Sequence, residues 1–207
     1  MNQENGIHIS FHVVQPEIQN IKYFVFKGEK YPVDFDKLKK NSKYFYRNQK
    51  QFKPIYDISI LDEADEKLIT ISDTAIQAFI SSCQNEPAQI NLSDVIPLQY
   101  LSYKYEFSNL ISVTEKFIQE HSDKLIFQSL LFKLSIRPNN ETFSIPTNFF
   151  NTRNEEEIIS DHFNDYIKDD QMLSLPIPVL YRIFNLCHSK HERQFNDNSN
   201  EVIEFFT

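Results

Sequence analysis

The sequence predicts an α+β chain, with a few short strands near its start and helices through the rest. Three observations carry this. Two apolar runs, Ile21 to Phe26 and Tyr31 to Val33, flank Gly28, one of only 2 glycines in the 207 residues. Glycine turns a chain at little steric cost, so the two runs read as a hairpin. Beyond it, Leu38 and Phe45 lie seven apart, two helical turns, so both can face inward. From Val95 onward, apolar residues recur at helical spacing in one segment after another.

Composition sets the limits. The length suits one large or two small domains. With 41% hydrophobic residues, including 19 Phe and 10 Tyr, the chain can bury a sizeable core. A net charge of −8 argues against non-specific nucleic-acid binding as the main task. The 2 cysteines, Cys83 and Cys187, are too few for a disulfide framework, and reduced thiols are expected. No apolar run approaches the roughly 20 residues of a membrane span. The first residues, MNQENG, lack the basic-then-apolar layout of a signal peptide. A cytoplasmic or nuclear location is the expectation. Glycine scarcity, with Gly6 and Gly28 alone, leaves no phosphate-cradling loop, dinucleotide fingerprint or nucleophile elbow.

The elements follow in order. Ile7, Ile9, Phe11 and Val13 alternate with His8, Ser10 and His12, the period of a half-buried strand. Asp34 and Asp36 stand where a helix wants an acceptor for its unpaired amides. Residues 37–53 carry Lys37, Lys39, Lys40, Lys43, Arg47, Lys50 and Lys53 with no acid, a local charge of +7. Such a run is either a scaffold's docking patch for an anionic partner, nucleic acid or phospholipid, or a solvated face whose lysine stems cover apolar surface; the second is favoured. Tyr44, Phe45, Tyr46 and Phe52 interleave with it, a layout compatible with base stacking.

Ile55, Ile58 and Ile60 predict a strand, an acidic turn follows, and Leu68 to Ile71 can return beside it. Ser72 or Asp73 is placed to cap a helix bearing Ala75, Ile76, Phe79 and Ile80, which Pro87 ends. Asn91 to Ser93 opens the next helix, with Pro97 tolerated in its first turn. Val95, Leu98, Leu101 and Tyr105 form its inner stripe, and Leu110, Val113, Thr114, Phe117 and Ile118 that of its successor. Ser122 or Asp123 is expected to cap a helix from Lys124 to Leu134, apolar nearly all round and so buried between neighbours. Residues 137–153, with Pro138, Pro146 and several Asn, predict a loop or linker. Asn154 with Glu157 suggests a capping box, ahead of a stripe of Ile158, Ile159, His162, Phe163, Tyr166 and Ile167. Leu173 to Pro178 predicts a rigid turn, and Leu180, Ile183, Phe184 and Cys187 a last helical face. Val202, Ile203, Phe205 and Phe206 form an apolar end, expected to lead into further chain or to dock.

Two segments resemble the BTB/POZ fold. The first is a strand, turn and strand leading into a helix, matched at Tyr31, Pro32, Leu38, Ser42, Tyr44 and Phe45 without a gap. The second is a helix ending in Ser-x-Lys-Tyr, a turn and a further helix, matched at Leu98, Leu101, Ser102, Lys104, Tyr105, Leu110 and Phe117. Together they span about residues 20–121. The later order of helix, Leu-Pro and helix resembles the BACK-type extension that follows many BTB domains. The Asn-, Lys-, Tyr- and Phe-rich tone is similar to BTB-like N-terminal regions of protist proteins with ankyrin or leucine-rich repeats. The resemblance implies a small sheet flanked by helical hairpins, then an all-helical extension. It divides the chain into an N-terminal arm 1–19, a BTB-like domain 20–121 and a BACK-like extension 122–207.

The resemblance further implies a protein-interaction and oligomerisation module, a scaffold or adaptor that is not an enzyme. It implies a homodimer with an unidentified protein partner. Family dimers often place an extra N-terminal element across the interface, so the strand of Ile7, Ile9, Phe11 and Val13 is expected to pair either with its own chain or with a second copy. Tyr44 and Phe45 are assigned to the core. Lys39, Lys40, Lys43, Arg47 and Phe52 complete the candidate interaction surface. Adaptors of cullin ubiquitin ligases carry an apolar-x-Glu element in the loop after this helix. Here Phe52, Lys53 and Pro54 stand there without the Glu, which argues against cullin docking. The family usually has a His where this chain has Asp34, and an Asp where it has Ile21 or Lys22.

Catalytic and metal chemistry find little footing. Cys187, His188 and His191 are close in sequence, but zinc needs four ligands and Cys83 stands alone. His8 and His12 share a strand face without a partner constellation. Glu155, Glu156 and Glu157 sit where a helix N-terminus favours negative charge, and Asp161, Asp165, Asp169 and Asp170 suggest its solvated face. No cofactor is expected.

Overall fold

The computed structural model describes residues 7–9, 20–58, 71–136 and 145–204, with 7–9 and 191–204 given by their backbone alone. Phe11, Val13, Ile60, the acidic turn, the returning run from Leu68 and the final Phe205 and Phe206 lie outside the described residues. The architecture is mixed α+β.

β1 is Ile7–Ile9. β2, Ile21–Phe26, and β3, Glu29–Asp34, form an antiparallel hairpin in which Phe26 pairs with Glu29. Its two turn residues, Lys27 and Gly28, have φ of 49° and 83°. Two positive φ angles in succession match the strands' right-handed twist, and Gly28 supplies the second without strain.

A crossover of α1, Phe35–Asn41, and α2, Lys43–Arg47, then brings β4, Ile55–Asp57, back parallel to β2, giving the sheet order β3-β2-β4. Parallel neighbours need such a crossover, since a tight turn can only reverse the chain. The inner face of the sheet buries Phe24, Phe26 and Val33, while Ile21, Tyr23 and Ile55 face outward and are exposed. This is the two-residue period of a half-covered sheet.

α3, Asp73–Cys83, leads to β5, Ala88–Ile90. β1 pairs antiparallel with β5, with Ile7 opposite Ile90 and Ile9 opposite Ala88. The N-terminal strand therefore pairs within its own chain. α4, Val95–Lys104, and α5, Ser108–Glu120, follow as neighbours. Their inner stripes are buried at Val95, Leu98, Leu101, Tyr105, Leu110, Thr114 and Phe117, as their spacing predicts. An aromatic cluster fills the space between sheet and helices. The Phe45 ring stacks on Tyr105 at 5.3 Å and meets Phe24 at 5.6 Å, and Phe79 lies 5.7 Å from Tyr105.

α6, Ser122–Ser135, joins this core to a second one. Leu125, Phe132 and Ile136 enter the first, and Ile126, Phe127 and Leu130 the second. That explains a helix apolar nearly all round. Packing of the first core runs past 121, because Ile145 and Phe149 also belong to it and the Phe149 ring lies 6.0 Å from Tyr100. The expected linker thus contains a packed 3-10 turn, Thr147–Phe150.

α7, Arg153–Asp161, α8, Phe163–Tyr166, α9, Asp170–Leu173, and α10, Ile177–Glu204, complete the chain. Ile159, Met172, Leu175, Val179 and Ile183 bury in the second core.

Caps differ from expectation at several points. Asp34 caps α1 and Ser72 caps α3, as predicted. α4 follows Asp94, whose carboxylate accepts from Ser72 Oγ and Thr74 Oγ1 and makes no cap bond. α6 starts at Ser122 itself, with no side-chain cap. α7 begins one residue before Asn154, and there Thr152 Oγ1 donates to Glu156 at 2.8 Å in place of a box with Glu157.

Candidate functional site

Four of the basic candidates come together on one face. Asp34 starts α1 by accepting from the amides of Asp36 and Lys37 at 2.9 and 3.2 Å. Leu38 is buried, which leaves Lys40 on the outer side of the helix and Lys39 half-buried beside it. Ser42 then breaks the helix, with extended backbone at φ −129° and ψ 126°. Its Oγ accepts from the Phe45 amide at 3.1 Å and donates to the Tyr105 carbonyl. These two hydrogen bonds restart the chain as α2 with Phe45 inward and Lys43, Tyr46 and Arg47 outward. Lys39, Lys40, Lys43, Tyr46 and Arg47 line a groove of about 1040 Å³, closed on one side by Ser108 and Asn109 at the start of α5.

The charge of this face is smaller than the sequence count. Lys37 pairs with Glu86 at 3.7 Å, Lys39 with Asp36 at 2.7 Å, and Arg47 with Glu106. Two of these acids lie about 50 to 60 residues away in sequence and the third just outside the basic run, so each escapes a local tally. The hydrogen bond from Lys39 holds the Asp36 carboxyl below its ordinary range, with burial opposing it. Lys40 and Lys43 make no salt bridge among the described residues, although the Lys40 charge also helps hold the Asp36 carboxyl down. They are the exposed lysines of the groove left to meet an anion, and the exposed Tyr46 lines it with them. Nearby, burial and the Lys39 charge push the Lys22 ammonium down. Lys22 lies 3.8 Å from the Phe35 ring centre and donates to the Phe52 carbonyl at 2.8 Å.

Phe52 does not belong to this surface. It is 8% exposed, and its ring stacks on Tyr56 at 4.5 Å and on Phe35 at 4.8 Å. An aromatic ring that finds two stacking partners in the core gains more there than beside lysines in water. Ile7 and Ile9 lie in β1, in a different sheet from the β3-β2-β4 sheet that leads into α1.

Sequence reasoning missed a second surface. Leu173, Ile177, Tyr181, Phe184 and Ile167 are exposed at 79, 81, 67, 57 and 50%. They surround an apolar groove of about 380 Å³ between α8, α9 and the start of α10. The predicted stripe placed Phe184 with Ile183 on the inner face. Only Ile183 is buried there, paired one turn apart with Val179, and Cys187 is half-buried. The signal was present as apolar residues on both sides of one helix, at Ile177 and Tyr181 as well as Val179 and Ile183.

Two acids in the first turn of α7 do more than face the helix N-terminus. Glu155 and Glu156 are 5% and 2% exposed. Glu155 accepts from Lys133 at 2.5 Å and Ser129 at 2.8 Å. Arg182 donates Nε and Nη2 to Glu156 at 2.9 and 2.6 Å. Burial opposes the Glu156 charge, and the Arg182 and Thr152 hydrogen bonds outweigh it, so the carboxyl is held below its usual range. These are ties between α6, α7 and α10. Burial pushes the Cys83 thiol well up, which keeps it protonated and unreactive.

Among the described residues no three His, Cys, Asp or Glu stand close enough to hold a metal ion, and no helix is long and apolar enough to cross a membrane.

No protein-family model matches the chain, and no curated protein matches it either.

Proposed function

We propose that this chain is a BTB/POZ-like protein-interaction and oligomerisation module with a helical BACK-like extension, acting as a non-catalytic scaffold or adaptor. One observation carries the reading. The two segments that resemble the family pack on each other through Ser42, Phe45 and Tyr105, with Ser42 and Tyr105 63 residues apart in sequence. The connectivity agrees with it: a strand hairpin, a helical crossover to a parallel third strand, and a helix pair closing the sheet. The mechanism is burial of apolar surface between molecules. Light scattering on the chain is expected to give a multiple of the 24.6 kDa chain mass. A monomer mass at every concentration overturns the oligomer half of the proposal.

Lys40 and Lys43 favour a second, narrower reading, in which the α1–α2 groove receives an acidic segment of a partner. Exposed cations of this kind steer association and make it salt-sensitive. A poly-glutamate peptide that binds at low salt and loses binding on Lys40→Glu with Lys43→Glu is the expected result; no binding at low salt removes the reading. A cullin-adaptor role is not adopted. The loop lacks the family's Glu, and its apolar residue, Phe52, is buried.

A further inference from the structure

We infer that the apolar face built by α8, α9 and the start of α10 is a self-association surface, occupied by the same face of a second copy of this chain. The inference rests on the oligomerisation reading above and assigns it a place on the molecule.

α10 is apolar on two sides. Val179 and Ile183 fill the second core, while Ile177, Tyr181 and Phe184 stand on the other side at i, i+4 and i+7. An apolar face of a helix belongs against a partner, and the described residues of this chain supply one for the Val179 and Ile183 side. The alternating steps of four and three are those of the seam along which helices pack in pairs.

The area fits a pair of copies. Taking about 200 Å² for each large side chain, the exposed fractions of Ile167, Leu173, Ile177, Tyr181 and Phe184 amount to on the order of 700 Å². That exceeds the ~300–600 Å² of the largest apolar patch on a typical monomer. It approaches the ~800 Å² that each partner gives to a stable interface.

The surface also complements itself. Leu173 and Ile177 are the most exposed residues lining the 380 Å³ groove, which has more than twice the ~150 Å³ of a cavity that takes up benzene. A two-fold contact sets these side chains of each copy into the groove of the other. Charge points the same way. Each copy carries −8, so two copies repel over most of their surface. None of the residues lining this groove is charged, so here two copies can approach without burying like charges.

The test is sedimentation equilibrium of the full chain over a wide concentration range. Wild type is compared with Tyr181→Glu plus Phe184→Glu, with Ile177→Lys, and with Lys40→Glu plus Lys43→Glu as a charge control on the other face. Wild type is expected to dimerise. Both α10 variants are expected to raise the dissociation constant on the order of 100-fold or more, since charge replaces buried anchors. The control is expected to stay dimeric. Circular dichroism must show unchanged helix content, which the exposure of all three α10 positions predicts, and of the two α10 variants the one that keeps it decides. A wild-type dimer that both α10 variants leave intact overturns this assignment while the oligomer reading stands. A wild-type monomer at every concentration overturns both and leaves the face to a different protein.

Discussion

Ser42 holds Tyr105 by a hydrogen bond from its Oγ to the Tyr105 carbonyl, 63 residues away in sequence, while the same oxygen caps α2 at the Phe45 amide. One buried hydroxyl, 2% exposed, therefore fixes both a helix start and the approach of the end of α4 to the α1–α2 junction. Ser42→Ala removes the cap and the donor together. Loss of a cap costs about 1 kcal/mol, and a carbonyl left buried without its donor adds about 1 kcal/mol or more. The expected loss is about 2 kcal/mol, read as a lower urea midpoint at unchanged slope. A loss under about 0.5 kcal/mol would mean that water replaces the hydroxyl.

The placement of Phe52 separates core from surface within one short run. Phe52→Ala is expected to cost about 3–5 kcal/mol, because it empties a stacked site between Phe35 and Tyr56. Tyr46→Ala, at a residue 62% exposed, is expected to change stability by no more than about 0.5 kcal/mol. Thermal unfolding of the two variants side by side checks the ordering. Equal effects would place Phe52 outside the core.

These two residues also show what the sequence could and could not disclose. The hairpin was legible because a turn needs a residue suited to positive φ, and Gly28 is local. The stripes of α4 and α5 were legible because helical period depends only on near neighbours. Phe52 was not, since its flanking Gln51 and Lys53 are polar and its stacking partners come from α1 and β4. The +7 count overstates the charge of its face for a related reason: Glu86 and Glu106, which neutralise part of it, arrive from other elements. Glu155 and Glu156 were legible as acids at a helix start but not as buried ion-pair partners, because their cations sit 22 and 26 residues away. The α10 face was half legible. Spacing shows which residues are apolar, yet whether a partner covers them depends on what else the fold brings there.

The Glu156–Arg182 pair gives stability a pH dependence. The folded carboxyl is held below its ordinary range, so the pair's contribution is fully present above the unfolded value near pH ~4.3 and is lost as pH falls through the folded value. Glu156→Gln is expected to lose about 1.5–3 kcal/mol at pH 7, the worth of hydrogen bonds to a charged group. Below pH ~4 the difference between wild type and variant should shrink, because the wild-type carboxyl then takes up a proton. Urea unfolding of both proteins from neutral to acid pH measures that difference. A gap independent of pH would show that the Arg182 contact acts through packing alone.

The hairpin turn offers a test of backbone strain without side-chain crowding. Gly28 has φ of +83°, and a Cβ built there meets nothing within 4 Å. Any penalty on substitution thus comes from the left-handed backbone itself. Gly28→Ala is expected to cost about 1 kcal/mol, and Gly28→Asn less than half of that, because Asn tolerates this region by bonding locally. The cost should fall on β2 and β3 together, since the turn sets their register from Phe26 and Glu29 to Ile21 and Asp34. Amide exchange in the two strands should rise in parallel for Gly28→Ala. A Gly28→Ala protein as stable as one bearing Asn would show that the turn had relaxed to another form.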